Sequence, residues 1–417
     1  MIQKPRGTID ILPDKSALWL DIENRIRKVA KRYGFGEIRL PTFEVTELYN
    51  RGVGDTSDVV QKEMYTFTDN DNRSISLRPE GTAGVVRSII ENGLCSEAMP
   101  LSLYYLISCF RYEKPQAGRS REFYQFGVEM FGADSPCADA EVIMLASDIF
   151  DELGLKIRLE INSIGCPECR PKYHAALKEY FNSNIDDLCD TCKGRLEKNP
   201  LRILDCKSPI CSAIAKNAPH TIDYLCDDCK SHFDGLQALL KNAGREFTVN
   251  SRIVRGLDYY RKTVFEFISD DIGAQSTVCG GGRYDGLVQS LGGPALSGIG
   301  FAMGLTRLMM VLEAQNKLPE ISESMDLYIA SLGENAVSEA FKLAVALRNS
   351  GFRAQCDIVG RSLKAQMKYA DKKSARFVLI LGDSEIESRK CVLKNMSDSS
   401  QSEVSLDDIE TIINHIK

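Results

Sequence analysis

The 417-residue sequence has no stretch of about 18 uncharged apolar residues, which excludes a helix built to cross a bilayer. Its start, MIQKPRGTIDILPDK, lacks the apolar core and small-residue cleavage site of a secretory signal, so the expected location is the cytoplasm. There is no GxxxxGKS/T phosphate loop and no protein-kinase signature, so any ATP site must be built from other parts. Histidine is scarce. His174, His220, His232 and His415 stand in no motif, which argues against a Ser-His hydrolase and against a histidine-ligated metal enzyme.

What remains is globular. Apolar residues make up 43% and charged residues 26%, and the length favours two or three domains over one core. A net charge of −6 argues against indiscriminate nucleic-acid coating, although RNA affinity follows local patches rather than the global sum. Fourteen cysteines are many. Without a secretory signal they read as metal ligands or reduced thiols rather than as a disulfide framework.

Leu18, Ile22, Ile26 and Val29 fall at helical spacing within 16–33, and Gly34 is placed to stop that helix. A short strand over 38–40 ends at Pro41; a second, ISLR, meets Pro79, and a helix begins near Gly81–Thr82. The segment 103–131 predicts a long hairpin. Tyr124, Phe126, Val128 and Met130 share one face of its second strand, and Gln125, Gly127 and Glu129 share the other. Residues 166–230 hold eight of the cysteines in a mixed helical and polar pattern that reads as an inserted module. Strands follow at 252–268 and 275–280, then a helix from about 298 to 315. QNKLPEISESM has no apolar period and reads as a linker. Beyond it, strands and helices alternate in a unit of about 90 residues whose strands are expected to be mainly parallel.

Several segments carry chemistry. The hairpin sets Arg111 and Glu113 on one strand face and Gln125 and Glu129 on the other strand. Burying such a face costs roughly 1–3 kcal/mol per unpaired group. Either a ligand satisfies it, with arginine on a phosphate and Glu and Gln on a small polar substrate, or it is a solvated face laced with ion pairs. RGLDYYRKTVFEF at 255–267 places Arg255 and Asp258 beside Tyr259 and Tyr260, a clamp for a phosphate and a ring or a loop entering a strand. GGGRYDGL at 280–287 permits close backbone approach to a ligand or within a tight turn. Gly298, Gly300 and Gly304 lack dinucleotide-fingerprint spacing, and Arg307 follows where it can reach a phosphate or cover the helix surface.

Taken together, these segments resemble the class II aminoacyl-tRNA synthetases and, among them, the histidyl-tRNA synthetase family. FRYE at 110–113, a basic loop and REFYQFGVE at 121–129 look like the second class II motif. GIGFAMGLTRLMM at 298–310 looks like the third, and the helix–strand–Pro41 region like the first. LRPEGT at 77–82, RGLDYY at 255–260 and GGGRYDG at 280–286 are similar to the marks of the histidyl family. The resemblance covers essentially the whole chain.

It implies an α+β fold: a class II antiparallel-sheet catalytic core over 1–318 with a Cys-rich insert at about 166–240, a linker at 315–325 and a C-terminal α/β anticodon-binding domain over 326–417. It implies ATP-dependent activation of histidine to histidyl-adenylate and transfer to the 3′ end of tRNA(His), with Mg²⁺ on the pyrophosphate side and a homodimer joined through the first-motif region. Carried over residue by residue, Glu80, Gly81 and Thr82 belong to the histidine α-amino end, and Gln125, Glu129, Tyr259 and Tyr260 to the histidine pocket. Arg111 and Arg255 touch histidine and act at the reacting carboxylate and α-phosphate. Arg111, Glu113, Arg119 and Arg307 hold ATP, and Gln116 meets the tRNA acceptor end. The C-terminal helix RSLKAQMKYADKKSAR is expected to carry a basic stripe for RNA at Arg361, Lys364, Lys368 and Lys372, with Leu363, Met367 and Ala370 as its buried face.

The pairs Cys166–Cys169, Cys189–Cys192 and Cys226–Cys229, with Cys206 and Cys211 between them, have the spacing of a structural Zn²⁺ site. Three pairs leave the pairing open, and packed thiols are the alternative. The competing function is the synthetase-like regulatory subunit of ATP phosphoribosyltransferase, which is expected to lack the C-terminal domain and residues such as Arg255.

Overall fold

An eight-stranded sheet organises residues Met1–Pro319, in the order Gly36–Glu37, Leu101–Phe110, Glu122–Phe131, Gly298–Gly304, Thr277–Arg283, Arg261–Ile268, Arg158–Ser163 and Thr248–Val249. The six strands from Leu101–Phe110 to Arg158–Ser163 pair antiparallel throughout, and the two-residue strands at the edges pair parallel. The computed structural model describes the whole chain apart from Asp55, Thr56, Asn199, Asp205, Lys207, residues 254–258, Ser322 and Glu323, and the side chains of Lys198, Arg202, Ala274 and Gln275.

Alternation divides this sheet into an oily face and a polar face. Phe126, Val128 and Met130 enter one core with Ile299, Phe301 and Met303 from the next strand. Helices Pro13–Arg32, Pro136–Glu152, Asp227–Asn242 and Leu305–Ala314 supply Ile26, Ile149, Leu236 and Leu308 to the same core. The side chains between them, Gln125 and Glu129 included, therefore point to the opposite face.

Gly298–Gly304, expected to open a helix, is a strand, and the helix begins only at Leu305. Its glycines hide a period-two pattern: Ile299, Phe301 and Met303 are buried on one side, while Gly300 faces Glu129 on the neighbouring strand. The cysteine-rich insert is helical, with Arg170–Asn182, Asp190–Lys198 and Pro209–Ala215 around a small core of Tyr173, Leu177, Phe181, Leu196 and Ile203.

Glu320–Lys417 is a second compact unit. Its sheet runs Ala354–Cys356, Leu327–Ser331, Phe377–Leu381, Lys390–Asn395 and Gln401–Ser405. The first three strands are parallel; the last two form an antiparallel hairpin rather than continuing the parallel pattern. The cause is turn chemistry in NMSDSS. Asn395 accepts from the Ser397 amide at 2.9 Å and Asp398 from the Ser400 amide at 2.8 Å, which reverses the chain before another crossover helix can form.

The basic helix also differs from expectation. It spans Leu363–Lys372, so Arg361 lies before it, ion-paired to Asp357 at 2.7 Å and stacked 4.5 Å over Tyr369. Lys364, Lys368 and Lys372 are exposed. The fully buried positions are Ala370 and Gln366, whose amide bridges the Ser331 backbone at 2.9 and 2.8 Å, while Leu363 and Met367 are only half-buried. Among the described residues no helix is long and apolar enough to cross a membrane.

Candidate active site

The polar face of the large sheet floors a cavity of about 530 Å³. Glu129 lies at its base, 1% exposed, in the second strand of the hairpin. Its neighbour across the sheet is Gly300, where any Cβ would stand 2.1 Å from the Glu129 carboxylate. The glycine is therefore required to give the carboxylate room. One Glu129 oxygen accepts from Thr82 Oγ1 at 2.7 Å and from the Tyr105 hydroxyl at 3.3 Å, and the other accepts from the Tyr284 hydroxyl at 2.5 Å. Burial nevertheless dominates and pushes the Glu129 carboxyl up to about 8, against the lowering effect of these hydrogen bonds.

Glu80, 4% exposed, sits beside it at the start of helix Thr82–Glu91, accepting from the Thr82 amide at 2.7 Å and the Ala83 amide at 2.9 Å. Burial also raises this carboxyl, opposed by those amides and by Arg111. Two desolvated acids in one pocket favour a ligand bearing positive charge or N–H donors. Tyr105 passes beneath Gly81 and Gly127, where a Cβ would meet its ring at 2.4 and 2.2 Å. Tyr259 and Tyr260 pack with ring centroids 4.6 Å apart and planes tilted by 48°, and Tyr259 meets Tyr284 edge-on at 5.7 Å. Tyr284 is aimed by its neighbour. Arg283, fully buried, donates to Asp139 of helix Pro136–Glu152 at 3.0 Å, and Asp139 also bonds His232 at 2.8 Å.

The other end of the cavity is cationic, lined by Arg111, Arg119 and Arg307. Arg111 Nε donates to the Pro79 carbonyl at 2.9 Å, and its guanidinium lies 5.3 Å from the Phe123 ring centre. Arg119 pairs with Glu113 at 3.3 Å. Arg307 is tied to the carbonyls of Gly118 at 3.0 Å and Thr277 at 2.7 Å. Burial, then Arg119 and Arg111, hold the Arg307 guanidinium below its ordinary value. Clustered, prepositioned cations of this kind suit a polyphosphate.

Of the residues singled out in the sequence, Glu80, Thr82, Arg111, Glu113, Arg119, Gln125, Glu129, Tyr259, Tyr260 and Arg307 line this one cavity. Gly81 caps the helix behind it, and Gln116 is exposed on the hairpin loop. Arg255 lies outside the described residues. Sequence reasoning missed Tyr105 and Tyr284, the phenols on Glu129, and the facing carboxylates Glu160 and Glu266, which pair across adjacent strands and line the cavity. Tyr284 was within reach: alternation after Arg283 puts consecutive side chains on opposite faces. The Glu160–Glu266 register joins strands about a hundred residues apart and leaves no local signal.

A histidyl-tRNA synthetase family model matches residues 7–167 and 213–308, and an anticodon-binding-domain model matches 326–416. The chain is similar to the histidine–tRNA ligase of Acetivibrio thermocellus, 57% identical with all of both chains covered, and to that of Clostridioides difficile, 52% identical over 100% of this chain and 99% of the relative. In structure it is similar to the apo histidyl-tRNA synthetase of S. aureus, with a TM-score of 0.85, 39% identity and both chains covered completely. A Bacillus halodurans structure named as both an ATP phosphoribosyltransferase regulatory subunit and a histidyl-tRNA synthetase has a TM-score of 0.63 at 22% identity, over 92% of this chain and 98% of its own, which establishes a shared fold alone.

Proposed function

Because the chain belongs to the histidyl-tRNA synthetase family and is thereby a histidine–tRNA ligase, we propose that the cavity on its large sheet is where histidine is activated, through the residues assigned below. The observation that carries the assignment is one cavity lined by two buried acids, the packed tyrosines Tyr259 and Tyr260, and Arg111, Arg119 and Arg307. Glu80 and Thr82 hold the α-ammonium group. Gln125, Glu129, Tyr259 and Tyr260 enclose the imidazole, with Tyr105 and Tyr284 fixing the Glu129 carboxylate. An apolar side chain of the same shape cannot supply the N–H that the pocket is built to accept, a mismatch that can reject an analogue by about 10⁴-fold.

Arg111 binds the histidine carboxylate and the α-phosphate, Arg119 and Arg307 the outer phosphates, and Glu113 approaches the adenine. The carboxylate attacks the α-phosphorus, pyrophosphate leaves, and the 3′-hydroxyl of the tRNA then displaces AMP. Placement and fixed charge supply the acceleration, with no covalent enzyme intermediate. Mg²⁺, when bound, would neutralise phosphate charge, and the facing carboxylates Glu160, which also accepts from Arg158 and Asn250, and Glu266, which accepts from Thr277, would offer it oxygen ligands. Arg255, by its motif, adds a cation at the α-phosphate. This reading also gives the cysteine module a structural Zn²⁺ and places the enzyme in the cytoplasm as a homodimer. Phe43, Val45 and Phe67, exposed on a three-stranded sheet of Phe43–Val45, Ser74–Leu77 and Thr66–Thr68, supply an apolar face for a second copy. ATP–pyrophosphate exchange with each amino acid in turn tests the core assignment: histidine alone should support it, and exchange with another amino acid would overturn it.

Two smaller effects concern tRNA. Changing Lys364 and Lys368 together to glutamate should weaken tRNA charging several-fold and flatten its salt dependence, with pyrophosphate exchange intact. Charging and its salt slope unchanged would leave that helix as a solvated face. Replacing Gln116 with alanine should slow transfer to tRNA while sparing adenylate formation; single-turnover transfer at the wild-type rate would remove it from the acceptor site.

A further inference from the structure

The insert gathers its eight cysteines into two separate sets, each with four sulfurs mutually within 4.8 Å. Cys166 and Cys169 join Cys226 and Cys229; Cys189 and Cys192 join Cys206 and Cys211. The ambiguity of three C-x₂-C pairs is thereby resolved: the outer pairs combine, and the middle pair takes the two single cysteines. Cys166 lies 3.7 Å from Cys169 and 3.8 Å from Cys226, and Cys189 lies 3.9 Å from Cys206. Four thiolates around a tetrahedral ion with Zn–S of ~2.3 Å stand about 3.8 Å apart, whereas a disulfide brings two sulfurs to ~2.0 Å.

The backbone is arranged for thiolates as well. The Cys226 amide donates to Cys169 Sγ at 3.1 Å, and the Cys189 amide to Cys211 Sγ at 3.3 Å. The C-x₂-C pairs stand at the N-terminal ends of helices Arg170–Asn182, Asp190–Lys198 and Asp227–Asn242, where negative charge is favoured. The module around the second set also has a small core, centred on Leu188, Leu196, Ile203 and the cysteines themselves. Units with so little to bury usually need a staple.

We propose that the chain binds two structural Zn²⁺ ions, one in each of these cysteine sets, and that the first ion positions the Tyr259–Tyr260 wall of the histidine pocket. This second step rests on the histidine reading above. The first set is joined to that wall through the residues beside its ligands. Ile164 donates to the Lys262 carbonyl at 2.8 Å, and the Lys262 amide donates to Gly165 at 2.8 Å, just before Cys166. Arg170, directly after Cys169, donates to the Tyr260 carbonyl. Asp228, between Cys226 and Cys229, pairs with the Lys262 ammonium at 2.9 Å. Four contacts thus run between the cysteine segments and Tyr260–Lys262. The second set, with Cys192 and Cys211 fully buried in the module's own core, holds the insert together.

The test is metal content and histidine KM on the full chain, purified reduced with zinc present. Elemental analysis should give two Zn²⁺ per chain, falling to one in Cys166→Ser/Cys226→Ser and to one in Cys189→Ser/Cys206→Ser. Co²⁺ in place of zinc should show tetrahedral tetrathiolate absorption, halved in each variant. Fewer than two ions in the wild type, or two retained in either variant, overturns the assignment. In pyrophosphate exchange the first variant should raise the histidine KM several-fold and the second should not. Arg170→Ala, which leaves every ligand in place, should keep both ions and also raise that KM; an unchanged KM there overturns the coupling even if a cysteine variant fails to fold. Two ions in a wild type without histidine-dependent exchange would sink the histidine reading and leave the metal sites standing.

Discussion

Replacing Glu129 with glutamine is expected to lower kcat/KM for histidine in pyrophosphate exchange by about 10²–10³-fold, the effect of removing one partner from a buried charged contact. The pH dependence should change with it. In the empty site burial holds the Glu129 carboxyl at about 8, so near neutrality it is largely protonated. An imidazole N–H favours the ionised form, so histidine binding releases a proton and the histidine KM should fall as pH rises toward about 8. The glutamine variant should lose that dependence. Stability should respond in the opposite sense. A carboxyl raised from 4.5 to about 8 by folding binds a proton in the native state that the unfolded chain has already lost between those values. The empty enzyme therefore loses stability as pH rises through that window, and Glu129→Gln should flatten the decline. Thermal unfolding from pH 5 to 9, with and without histidine, reads this directly. A wild-type curve parallel to that of the variant would mean that folding does not raise the Glu129 carboxyl and that it meets histidine already ionised.

Much of this site is legible in the chain because its parts are carried by short, patterned segments. Period-two alternation in REFYQFGVE places Gln125 and Glu129 together on the face away from Phe126 and Val128, and LRPEGT delivers Glu80 to a helix start. What is not legible comes from register between distant segments and from side chains whose composition hides their place. Tyr105 reads as one more apolar residue of a strand until Gly81 and Gly127 are seen to make the slot it fills. The strand Gly298–Gly304 reads as helix because its glycines interrupt the alternation, and those glycines are there for the bulky groups opposite, Glu129 at Gly300 and Tyr284 at Gly298. In the C-terminal unit, charge spacing proposes a four-cation stripe. Only the structure shows that Asp357 and Tyr369 already engage Arg361, leaving three exposed lysines. The cysteine grouping is the same problem in its sharpest form: spacing singles out the cysteines, but only folding decides that sequence-distant Cys166 and Cys226 meet.

Arg111→Ala is expected to slow adenylate formation by about 10²–10³-fold while weakening histidine binding far less, because the charge it opposes develops at the α-phosphate in the transition state. Arg111 is held by the Pro79 carbonyl and packed against Phe123, and Arg307 is held by Gly118 and Thr277, so neither must be ordered when ATP arrives. Burial lowers Arg307 first, and its neighbours Arg119 and Arg111 add repulsion that Glu113 and Glu266 partly offset; a triphosphate relieves what repulsion remains. Arg111 also steadies the other end of the reaction, since its charge favours the ionised form of buried Glu80, the proposed partner of the α-ammonium. Its loss should therefore raise the histidine KM modestly as well, more so at lower pH, where Glu80 then takes up a proton. Arg111→Lys keeps the charge without the planar fork and should recover only part of the rate. Rapid-quench measurement of adenylate, set beside histidine binding by calorimetry, separates these effects. Adenylate forming within a few-fold of the wild-type rate in Arg111→Ala would show that Arg119 and Arg307 suffice for the phosphates and that Arg111 serves the architecture of the hairpin instead.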